Sequence, residues 1–544
     1  MSSKQIIYRS RTPAPKLPQQ SVWSFLFDDV AFDDARLAYA ECQGQERRIT
    51  FGELKSAAQR LGASLLRSGL RPDDAVLLLL PNGIDFIVTL FATQFAGLRA
   101  SFINPAYTRL ELRHIWKTLG AKRIFVTSRL LPNLTKAGLP WDKAIVLDVD
   151  AGNATTFVGR LLISLEDSRR AEAHQPASLE QTCYLPWSSG TTGLPKAVEL
   201  SHRNVVSMLL ALQAIPDLYD GPKRTLGCLP FFHAVGLIKL VHLPLAMRGT
   251  LYILTPFRPD AFCDVVRKYQ IQGTQAVPPI IVSLLSSAKG TQEYLGSLEH
   301  IACGAAPLSE ELQSRAEKRF GVPILQSFGM SETTVSAVGM NHGMKSGSVG
   351  WLLPGLEARL LNDDDVDAAP GERGELLLRG PNITKGYFRN AEATRGAKTH
   401  DGWLRTGDVA VVDESGQFTI VDRKKELIKY KGFQVPPAEL EGILLQHPSV
   451  AVAAVVGIYD AAQATELPRA YVQLHAGVAP SAELPRELQE WVKERTSAQK
   501  RLRGGVRVLE HVPVSASGKV LRKEMRALAK REQEALEGQP KARL

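Results

Sequence analysis

Short apolar runs and amphipathic stretches alternate along the first part of the chain. The predicted strands are residues 75–80, 100–103 and 122–126. Residues 84–96 predict a helix between the first two strands. A second helix is predicted before the third strand, because Thr108 and Glu111 have the spacing of a capping box. Strands that alternate with helices are typical of a parallel sheet, so we expect an α/β architecture.

A densely charged stretch separates this region from a second pattern of helices and strands. A charged run such as residues 422–426 is usually a solvated face. Here it also divides two α/β regions, so it is a candidate hinge. The region beyond spans about a hundred residues, enough for a small domain. Its predicted elements are helices over 437–446 and 483–496 and strands over 450–458, 470–474 and 506–512. Residues 1–20 predict an extended lead-in, and residues 164–181 predict a surface loop.

Composition narrows the class of protein. The chain has 544 residues, 44% hydrophobic and 22% charged, which predicts a soluble globular protein of at least two domains. Its net charge of +10 suits an anionic substrate or cofactor, and without a nucleic-acid-reading motif we expect no nucleic-acid partner. Five widely spaced cysteines favour reduced thiols in an intracellular compartment. No signal peptide or transmembrane segment is predicted.

The stretch from residue 188 to residue 196 has the composition of an oxyanion-binding loop, Ser-Ser-Gly-Thr-Thr-Gly-Leu-Pro-Lys. Its glycines let backbone N–H groups approach phosphate oxygens, its hydroxyls are short donors, and Lys196 adds a charge. It is not a Walker A loop, because Leu194 and Pro195 separate Gly193 from Lys196. Taken alone, the composition fits a solvated turn as well as a phosphate site.

Further clusters carry candidate chemistry. They are residues 230–236 around His233, 304–307, 326–332 ending in Glu332, 401–408 ending in Asp408, and 515–519 ending in Lys519. The small-residue turns at 304–307 and 326–332 suit packing against a flat ring, and Asp408 suits two vicinal sugar hydroxyls. A lone histidine is more often a satisfied core residue and a lone glutamate more often solvated, so the clusters gain weight only together.

In this order the motifs resemble the adenylate-forming superfamily, most closely the 4-coumarate:CoA ligase-like acyl-CoA ligases. The resemblance covers residues 49–526 and includes Phe-Phe-His at 231–233, Gly-Ala-Ala-Pro at 304–307, Thr-Gly-Asp at 406–408 and Ser-Gly-Lys at 517–519. It implies an α/β fold, with a large N-terminal domain of layered α/β subdomains plus a β-barrel-like piece. A small, mobile α+β lid would follow. We expect an AMP-binding (adenylation) domain over residues 1–421 and the lid over residues 422–544.

The resemblance implies a two-step ligase reaction. A carboxylate attacks the α-phosphate of ATP and releases pyrophosphate, and the thiol of CoA then displaces AMP. Lys519 would bridge the two reacting anions, Glu332 would ligate Mg²⁺, and His233 would lie between the acyl pocket and the path of the thiol. The implied ATP- and AMP-binding residues are Ser188, Ser189, Gly190, Thr191, Thr192, Gly193, Lys196, Gly304, Ala305, Ala306, Gln326, Ser327, Phe328, Gly329, Ser331, Asp408, Arg423, Lys425, Lys429, Gln434 and Lys519.

The resemblance also implies sites for CoA and for the acid. After a rotation about a hinge near Lys425, Lys431 and Gly432 would guide CoA. The implied acyl pocket consists of His233, Val235, Ala305, Ser327 and Gly329. Val235 replaces a Tyr that packs on a hydroxylated ring, and Ser327 replaces a Gly of the pocket. Other departures from the family pattern are Ala197, Lys424 and Pro-Phe-Arg at 256–258. The pocket changes leave aryl, arylacetic and medium-chain acids open.

Three other functions remain open on the sequence. A carrier-protein-loading adenylation enzyme and a luciferase-like adenylating oxidase share the nucleotide motifs. A non-catalytic basic binding module would need no particular lysine and would lose binding steeply with salt. The C-terminal Ala542-Arg543-Leu544 has the small–basic–Leu form that a peroxisomal import receptor recognises, so we expect a peroxisomal location in a eukaryote and a cytoplasmic one otherwise. An ordinary basic terminus is the alternative.

Overall fold

The computed structural model describes the chain apart from residues 1–4, 29–32, 45, 148–170, 189–194, 216–217, 219–220, 340–342, 425, 432, 461–462, 464, 516–517 and 538–544. It is an α/β structure with two seven-stranded sheets, a five-stranded antiparallel sheet and a smaller C-terminal region. The predicted fold class is therefore confirmed. None of the helices within the described residues has the length and apolar character needed to cross a membrane.

The first large sheet is built mainly of parallel strands. In spatial order it contains Leu200–Ser201, Thr182–Ser188, Arg99–Phe102, Ala75–Leu79, Arg123–Val126 and Ala144–Val146, with Lys196–Ala197 paired to Thr182–Ser188. The helices between and around these strands are Phe51–Arg67, Ile84–Phe95, Arg109–Leu119, Leu131–Ala137 and His202–Gln213. The predicted capping box is present, since the Thr108 N–H donates to Glu111 Oε2 (2.7 Å) and the Glu111 N–H donates to Thr108 Oγ1 (3.4 Å).

The second large sheet is also mainly parallel. Its order is Ile324–Gln326, His300–Cys303, Gly273–Ala276, Arg224–Gly227, Thr250–Ile253, Leu37–Glu41 and Arg48–Thr50. Its helices are Pro259–Tyr269, Pro278–Ser286, Gln292–Leu295 and Glu310–Phe320, with Val22–Phe27 and Leu243–Ala246 packed nearby. The segment Gly236–His242 winds as a π-helix. Turns of this wider type frequently occur at functional sites.

The third sheet and the C-terminal region complete the fold. The antiparallel sheet has the order Tyr8–Arg9, Glu357–Leu361, Gly374–Arg379, Leu404–Val412 and Phe418–Arg423. The predicted lead-in thus supplies a strand, because its backbone pairs with the open edge at Glu357 and Ala358. The C-terminal strands are Ile428–Tyr430, Phe433–Val435, Val450–Asp460, Thr465–Leu474 and Val506–Val508, and the helices are Pro437–Leu444, Leu484–Arg495 and Arg522–Glu537. The remaining elements within the described residues are one helix, one strand pair and four short 3₁₀ turns. The helix is Ala391–Ala397, the strand pair is Val338–Gly339 with Trp351–Leu352, and the turns are Ser128–Leu130, Trp141–Lys143, Ser331–Thr333 and Ala498–Lys500.

The C-terminal region has its own hydrophobic core, formed mainly between its sheet and the helices Pro437–Leu444 and Leu484–Arg495. Lys424 is held by the five-stranded antiparallel sheet, because its N–H donates to the Gly407 carbonyl (2.8 Å) and its Nζ lies 3.4 Å from Glu375. Glu426 is held by Arg522 of the C-terminal region at 2.6 Å. The backbone thus passes from one region to the other between residues 424 and 426. The expected domain boundary at 421/422 stays a prediction.

Candidate active site

The two ends of the 188–196 loop lie side by side. Ser188, at the end of a strand, pairs in antiparallel register with Lys196. His114 Nε2 lies 3.0 Å from the carbonyl oxygen of Pro195, which fixes the segment leading into Lys196. The intervening predicted phosphate ligands Ser189, Gly190, Thr191, Thr192 and Gly193 lie outside the described residues. The structure therefore places the anchors of this loop at the edge of the first sheet.

Tyr387 connects the end of this loop to Glu332. The Nζ atom of Lys196 lies 5.2 Å from the centre of the Tyr387 ring, and the Tyr387 hydroxyl donates to Glu332 Oε1 at 2.8 Å. Burial and the Glu332 carboxylate both raise the pKa of Tyr387, so it acts as a donor. Glu332 itself is only 3% exposed. Lys196, the predicted phosphate-binding lysine, and Glu332, the predicted metal ligand, thus both contact the Tyr387 side chain.

The turns at 304–306 and 326–329 adjoin each other beyond the carboxyl ends of two neighbouring parallel strands. The Ser327 N–H donates to the Cys303 carbonyl (2.9 Å), and the Gln326 side chain bonds both the N–H and the carbonyl of Leu308. Gln326 thereby holds the first turn in place. Ala305 has φ of +69°, a conformation that non-glycine residues rarely adopt and that is over-represented at ligand sites.

Close packing fixes the second turn. A Cβ atom on Gly329 would lie 1.8 Å from the Val335 carbonyl oxygen, so only glycine fits there. Phe328 forms an isolated bridge with Val338, and its ring is partly buried. Ser331 starts the single 3₁₀ turn that presents Glu332. Gly304, Ala306 and Phe328 are therefore placed where an adenine ring could pack between two short turns, at the carboxyl edge of a parallel sheet.

Asp408 and Arg423 stand opposite each other on adjacent antiparallel strands. Arg423 Nε lies 3.4 Å from Asp408 Oδ1. Asp408 is 5% exposed, and burial raises its pKa to about 6 although Arg423 and Lys519 both lower it. A buried carboxylate beside a guanidinium can accept two hydroxyl hydrogen bonds.

Lys519 reaches this pair from the C-terminal region. Burial and then Arg423 lower its pKa to about 8, while Glu426 and Asp408 raise it. Gly518 has φ of +74°, and a Cβ atom there would lie 2.8 Å from Pro279 Cγ. The turn therefore packs directly against the N-terminal end of the helix Pro278–Ser286, as only a glycine allows. The structure brings Lys519, Asp408 and Arg423 together.

Lys429 and Lys431 lie elsewhere in this arrangement. Both side chains are exposed on the hairpin that pairs Ile428–Tyr430 with Phe433–Val435. The N–H of Lys429 donates to Glu466 Oε2 and that of Lys431 to Thr465 Oγ1, each at 2.7 Å. Lys431 has φ of +45°. Lys425, Gly432 and the side chain of Gln434 lie outside the described residues.

His233 opens the helical segment that includes Val235. Its carbonyl accepts from the Leu237 N–H (2.8 Å), and its ring lies 4.6 Å from that of Phe232. Within the described part of the chain, the buried Nε2 atom has no hydrogen-bond partner. Burial lowers the pKa of His233 to about 4, so the imidazole is neutral near pH 7. An orphaned ring nitrogen of this kind is available to a ligand.

Two features of the site escaped the sequence reasoning. Tyr387 lies in an ordinary Gly-Tyr-Phe stretch with no spacing signal, and only its contacts reveal its place. Arg522, which bonds Glu426 and Glu441 beneath Lys519, has only charge to mark it among many basic residues. No group of three or more His, Cys, Asp or Glu side chains within the described residues could hold a metal ion unaided.

Comparison with known families agrees with this architecture. Residues 27–388 match the family profile of the AMP-binding enzymes, and residues 439–519 match that of the AMP-binding enzyme C-terminal domain. The boundaries of the two matches leave the candidate hinge between them. The first match alone spans more than half of the chain.

Full-length relatives narrow the family further. Phenylacetyl-CoA ligase epaB of Aspergillus niger is 35% identical, with 93% of this chain and 96% of that protein covered. Peroxisomal OPC-8:0-CoA ligase 1 of Arabidopsis thaliana is 34% identical, with 97% of each chain covered. The 4-coumarate–CoA ligase-like 9 of Oryza sativa subsp. japonica is 33% identical, with 96% of this chain and 95% of that protein covered.

Solved structures show the same fold. ATP-bound MatB from Rhodopseudomonas palustris is 26% identical with a TM-score of 0.80, covering 94% of this chain and 99% of its own. The anthranilate CoA ligase AuaEII in complex with anthranoyl-AMP, 24% identical, has a TM-score of 0.83 over 95% of this chain and 99% of its own. The chain thus belongs to the AMP-binding, adenylate-forming enzymes as an ATP-dependent, AMP-forming acyl-CoA ligase that activates a carboxylic acid and transfers it to CoA.

Proposed function

We propose that the acid is an aryl, arylacetic or medium-chain carboxylic acid, and that its adenylation takes place between the 188–196 loop and the Asp408–Arg423–Lys519 group. The observation that carries the proposed place of adenylation is the position of Lys519. It belongs to the C-terminal region, yet its turn packs against Pro279 of the N-terminal region and its charge lowers the pKa of Asp408. Such an assembly would bring an ammonium from the C-terminal region to the bound nucleotide.

In the first step, the chain's own residues hold two anions together. The 188–196 loop and Lys196 would bind the β- and γ-phosphates, and Asp408 with Arg423 would accept the ribose hydroxyls. Lys519 would lie between the attacking carboxylate and the α-phosphate. Its ammonium offsets their repulsion and fixes the line of attack while the bond to pyrophosphate breaks.

Magnesium fits the residues around Glu332 only as an ion shared with the nucleotide. Glu332 is a buried carboxylate oriented by Tyr387, and no complete protein ligand set surrounds it within the described residues. Mg²⁺ is commonly bound by one or two carboxylates together with substrate phosphates and water. When bound, it supplies charge neutralisation for the leaving pyrophosphate. Glu332 would be its protein ligand.

In the second step, the C-terminal region would turn about the backbone between Lys424 and Glu426. Lys424 pairs with Glu375 of the N-terminal region, and Glu426 pairs with Arg522 of the C-terminal region. The ion pairs therefore change from one region to the other within three residues. Rotation would withdraw Lys519 and bring Lys429, Lys431, Gly432 and Gln434 to face the site. Lys431 and Gly432 would then guide CoA toward the acyl-adenylate.

The acyl group would lie along His233 and Val235. His233 is neutral and offers an unpaired Nε2 atom where the thiol approaches, and Val235 offers an apolar surface to the acid. The names of the relatives are consistent with this range, since they include a phenylacetyl-CoA ligase and an OPC-8:0-CoA ligase. Ser327 and Gly329 would close the other side of the pocket.

A peroxisomal location is supported by the chain end and by one relative. Ala542-Arg543-Leu544 lies outside the described residues, and the Arabidopsis relative is named as peroxisomal. A fluorescent protein fused to the N-terminus, which leaves this tripeptide free, should enter peroxisomes of a eukaryotic cell. Deletion of the tripeptide should abolish import. A full-length fusion that stays in the cytosol would contradict the proposal.

The acid class is tested by ATP–pyrophosphate exchange across a panel of carboxylic acids. We expect exchange that depends on Mg²⁺ and on an aryl, arylacetic or medium-chain member of the panel, and release of AMP when CoA is added. A folded protein that exchanges pyrophosphate with none of these acids would contradict the proposed class. Binding of ATP without exchange, falling steeply with salt, would instead favour the non-catalytic binding module.

A further inference from the structure

Lys239 is a lysine in the interior of the protein. The residue is 3% exposed and lies within the π-helix Gly236–His242, whose other residues are all buried. Its Nζ atom donates one long hydrogen bond, to Ser327 Oγ at 3.3 Å. Burial alone lowers its pKa, to about 8, because no neighbouring carboxylate opposes that effect. Among the described residues, no carboxylate forms an ion pair with this ammonium.

Such a group is costly to bury. A protonated amine has three donors, and in this structure one of them is used, at the limit of hydrogen-bond distance. His242, three residues further along the same helix, shows the contrast. Its Nδ1 lies 2.8 Å from the Leu237 carbonyl and its Nε2 lies 2.8 Å from the Tyr184 hydroxyl, so both ring nitrogens are paired. The polar capacity of Lys239 is unfilled, whereas that of His242 is satisfied.

Lys239 lies on the helical segment that follows His233 and Val235. It follows Val235 by four residues, about one helical turn and roughly 6 Å further from His233 along the axis. Its partner Ser327 is joined to the Cys303 carbonyl beside the Gly304 turn. Lys239 also borders a cavity of about 40 Å³ that Leu243, Thr274 and Gln275 line as well. Free volume and polar atoms therefore meet around the Lys239 side chain.

We propose that Lys239 and Ser327 bind an oxygen acceptor at the end of the acyl group remote from the reacting carboxyl. The substrate is then an oxygen-bearing acid rather than a plain aliphatic or unsubstituted arylacetic acid. A second carboxylate is the strongest partner, since no carboxylate of the described residues pairs with Lys239, and Glu299, which lines the same cavity, is paired with Lys223. A carbonyl or hydroxyl oxygen is a neutral acceptor for the same hydrogen bonds. This inference rests on the proposed acyl site at His233 and Val235.

The test compares matched acids that differ only at the far end. Phenylacetic, 4-hydroxyphenylacetic and 4-carboxyphenylacetic acids form one series, and octanoic, 7-oxo-octanoic and octanedioic acids form another. In ATP–pyrophosphate exchange, kcat/KM of the unaltered enzyme should be about 10- to 100-fold higher for an oxygen-bearing member than for the apolar one, the worth of a hydrogen bond to a charged group. The preferred member identifies the acceptor as charged or neutral.

The variant Lys239→Met keeps the length of the side chain and removes its charge. It should raise KM for the preferred oxygen-bearing acid about 10- to 100-fold and leave kcat/KM for the apolar acid unchanged or higher. The control is Lys398→Met, which removes another partly buried lysine of depressed pKa, at the end of the helix Ala391–Ala397. The control should keep the preference for the oxygen-bearing acid.

Two outcomes overturn the inference. The first is an unaltered enzyme that prefers the apolar member of both series. The second is a Lys239→Met enzyme that uses all acids less well by the same factor and melts at a lower temperature, as a purely structural lysine requires. Calorimetric titration of the same acids in the presence of AMP separates this question from catalysis. Exchange without acid preference refutes the role of Lys239 alone, whereas Lys239-dependent binding without exchange refutes the proposed adenylation alone.

Discussion

Arg423 Nε lies 3.4 Å from Asp408 Oδ1, across a register in which the two residues are direct partners on adjacent strands. Arg423 is the last residue of the final strand of the antiparallel sheet, so the chain leaves that sheet at this pair. The Lys519 turn returns to the same place from the C-terminal region. The C-terminal region thus contacts the Asp408–Arg423 pair both where the chain enters it and through the Lys519 turn.

The adenylation half-reaction should have a bell-shaped pH profile. Asp408 must be ionised to accept the ribose hydroxyls, and its raised pKa of about 6 means that activity falls as pH drops through that value. Lys519 must be protonated, and its lowered pKa of about 8 means that activity falls as pH rises through that value. The profile of kcat/KM for ATP in pyrophosphate exchange reports these groups in the free enzyme.

The alkaline limb has its own control. Residual exchange by Lys519→Ala should lack the fall near pH 8, because the titrating ammonium is gone. The acid limb should remain in that variant but move to higher pH, because Lys519 no longer lowers the pKa of Asp408. If the alkaline limb of the profile persists unchanged in Lys519→Ala, that limb belongs to a group other than Lys519.

Removing the Tyr387 hydroxyl should weaken adenylation. Tyr387→Phe keeps the ring beside Lys196 and deletes the 2.8 Å bond to Glu332. A hydrogen bond to a charged group contributes about 1.5–3 kcal/mol, so the apparent KM for MgATP or the exchange rate should worsen about 10- to 100-fold. Steady-state exchange measured against MgATP concentration gives the effect.

Tyr471→Phe is the matched control for that experiment. Its hydroxyl donates to Glu532 Oε2, also at 2.8 Å, but within the C-terminal region. This change should lower the melting temperature and leave KM for MgATP unaltered. Equal kinetic losses in the two variants would show that Tyr387 has no particular part in the site.

The buried Arg522 network should govern the stability of the C-terminal region. Arg522 bonds both Glu426 and Glu441, and all three side chains are at most 12% exposed. Arg522→Met removes the ion-pair partner of two buried carboxylates, a change that typically costs about 3–5 kcal/mol. Thermal unfolding should shift downward. Lys500→Met, which breaks a more exposed pair with Glu439, should cost at most about 1 kcal/mol.

The loss in Arg522→Met should depend on pH in a defined direction. Burial already raises the pKa of Glu441 while Arg522 lowers it, so the variant raises that pKa further above its unfolded value. The penalty exists where Glu441 is charged in the folded state, and it disappears as pH falls through the raised pKa and the carboxyl is protonated. The difference in melting temperature should therefore shrink toward acidic pH. A difference that grows on acidification would contradict this account.

Much of the fold follows from local sequence patterns. The apolar runs gave strands at Ala75–Leu79 and Arg123–Val126 within one or two residues of expectation, because a strand buried on both faces needs an uninterrupted apolar run. The capping box at Thr108 is equally local. The strand Tyr8–Arg9 was missed, because its stability comes from a partner about 350 residues away rather than from its own polar sequence.

The site was predictable only where motifs are contiguous. Asp408, Arg423 and Lys519 each lie in a distinctive short stretch, and the structure places them together. Tyr387 and Lys239 act through neighbours distant in the chain, so no spacing rule marks them. In sequence, Lys239 is one lysine in an apolar helix; its lone bond to Ser327 exists only after folding.

The two-step account is tested most directly by separate assays of the half-reactions in Lys519→Ala and Lys431→Ala. Loss of one well-placed charged contact costs about a hundred- to a thousandfold in the step that uses it. Lys519→Ala should lose pyrophosphate exchange to this extent and still convert supplied acyl-adenylate and CoA to thioester. Lys431→Ala should retain exchange and lose thioester formation. Equal slowing of both half-reactions in both variants would contradict the account.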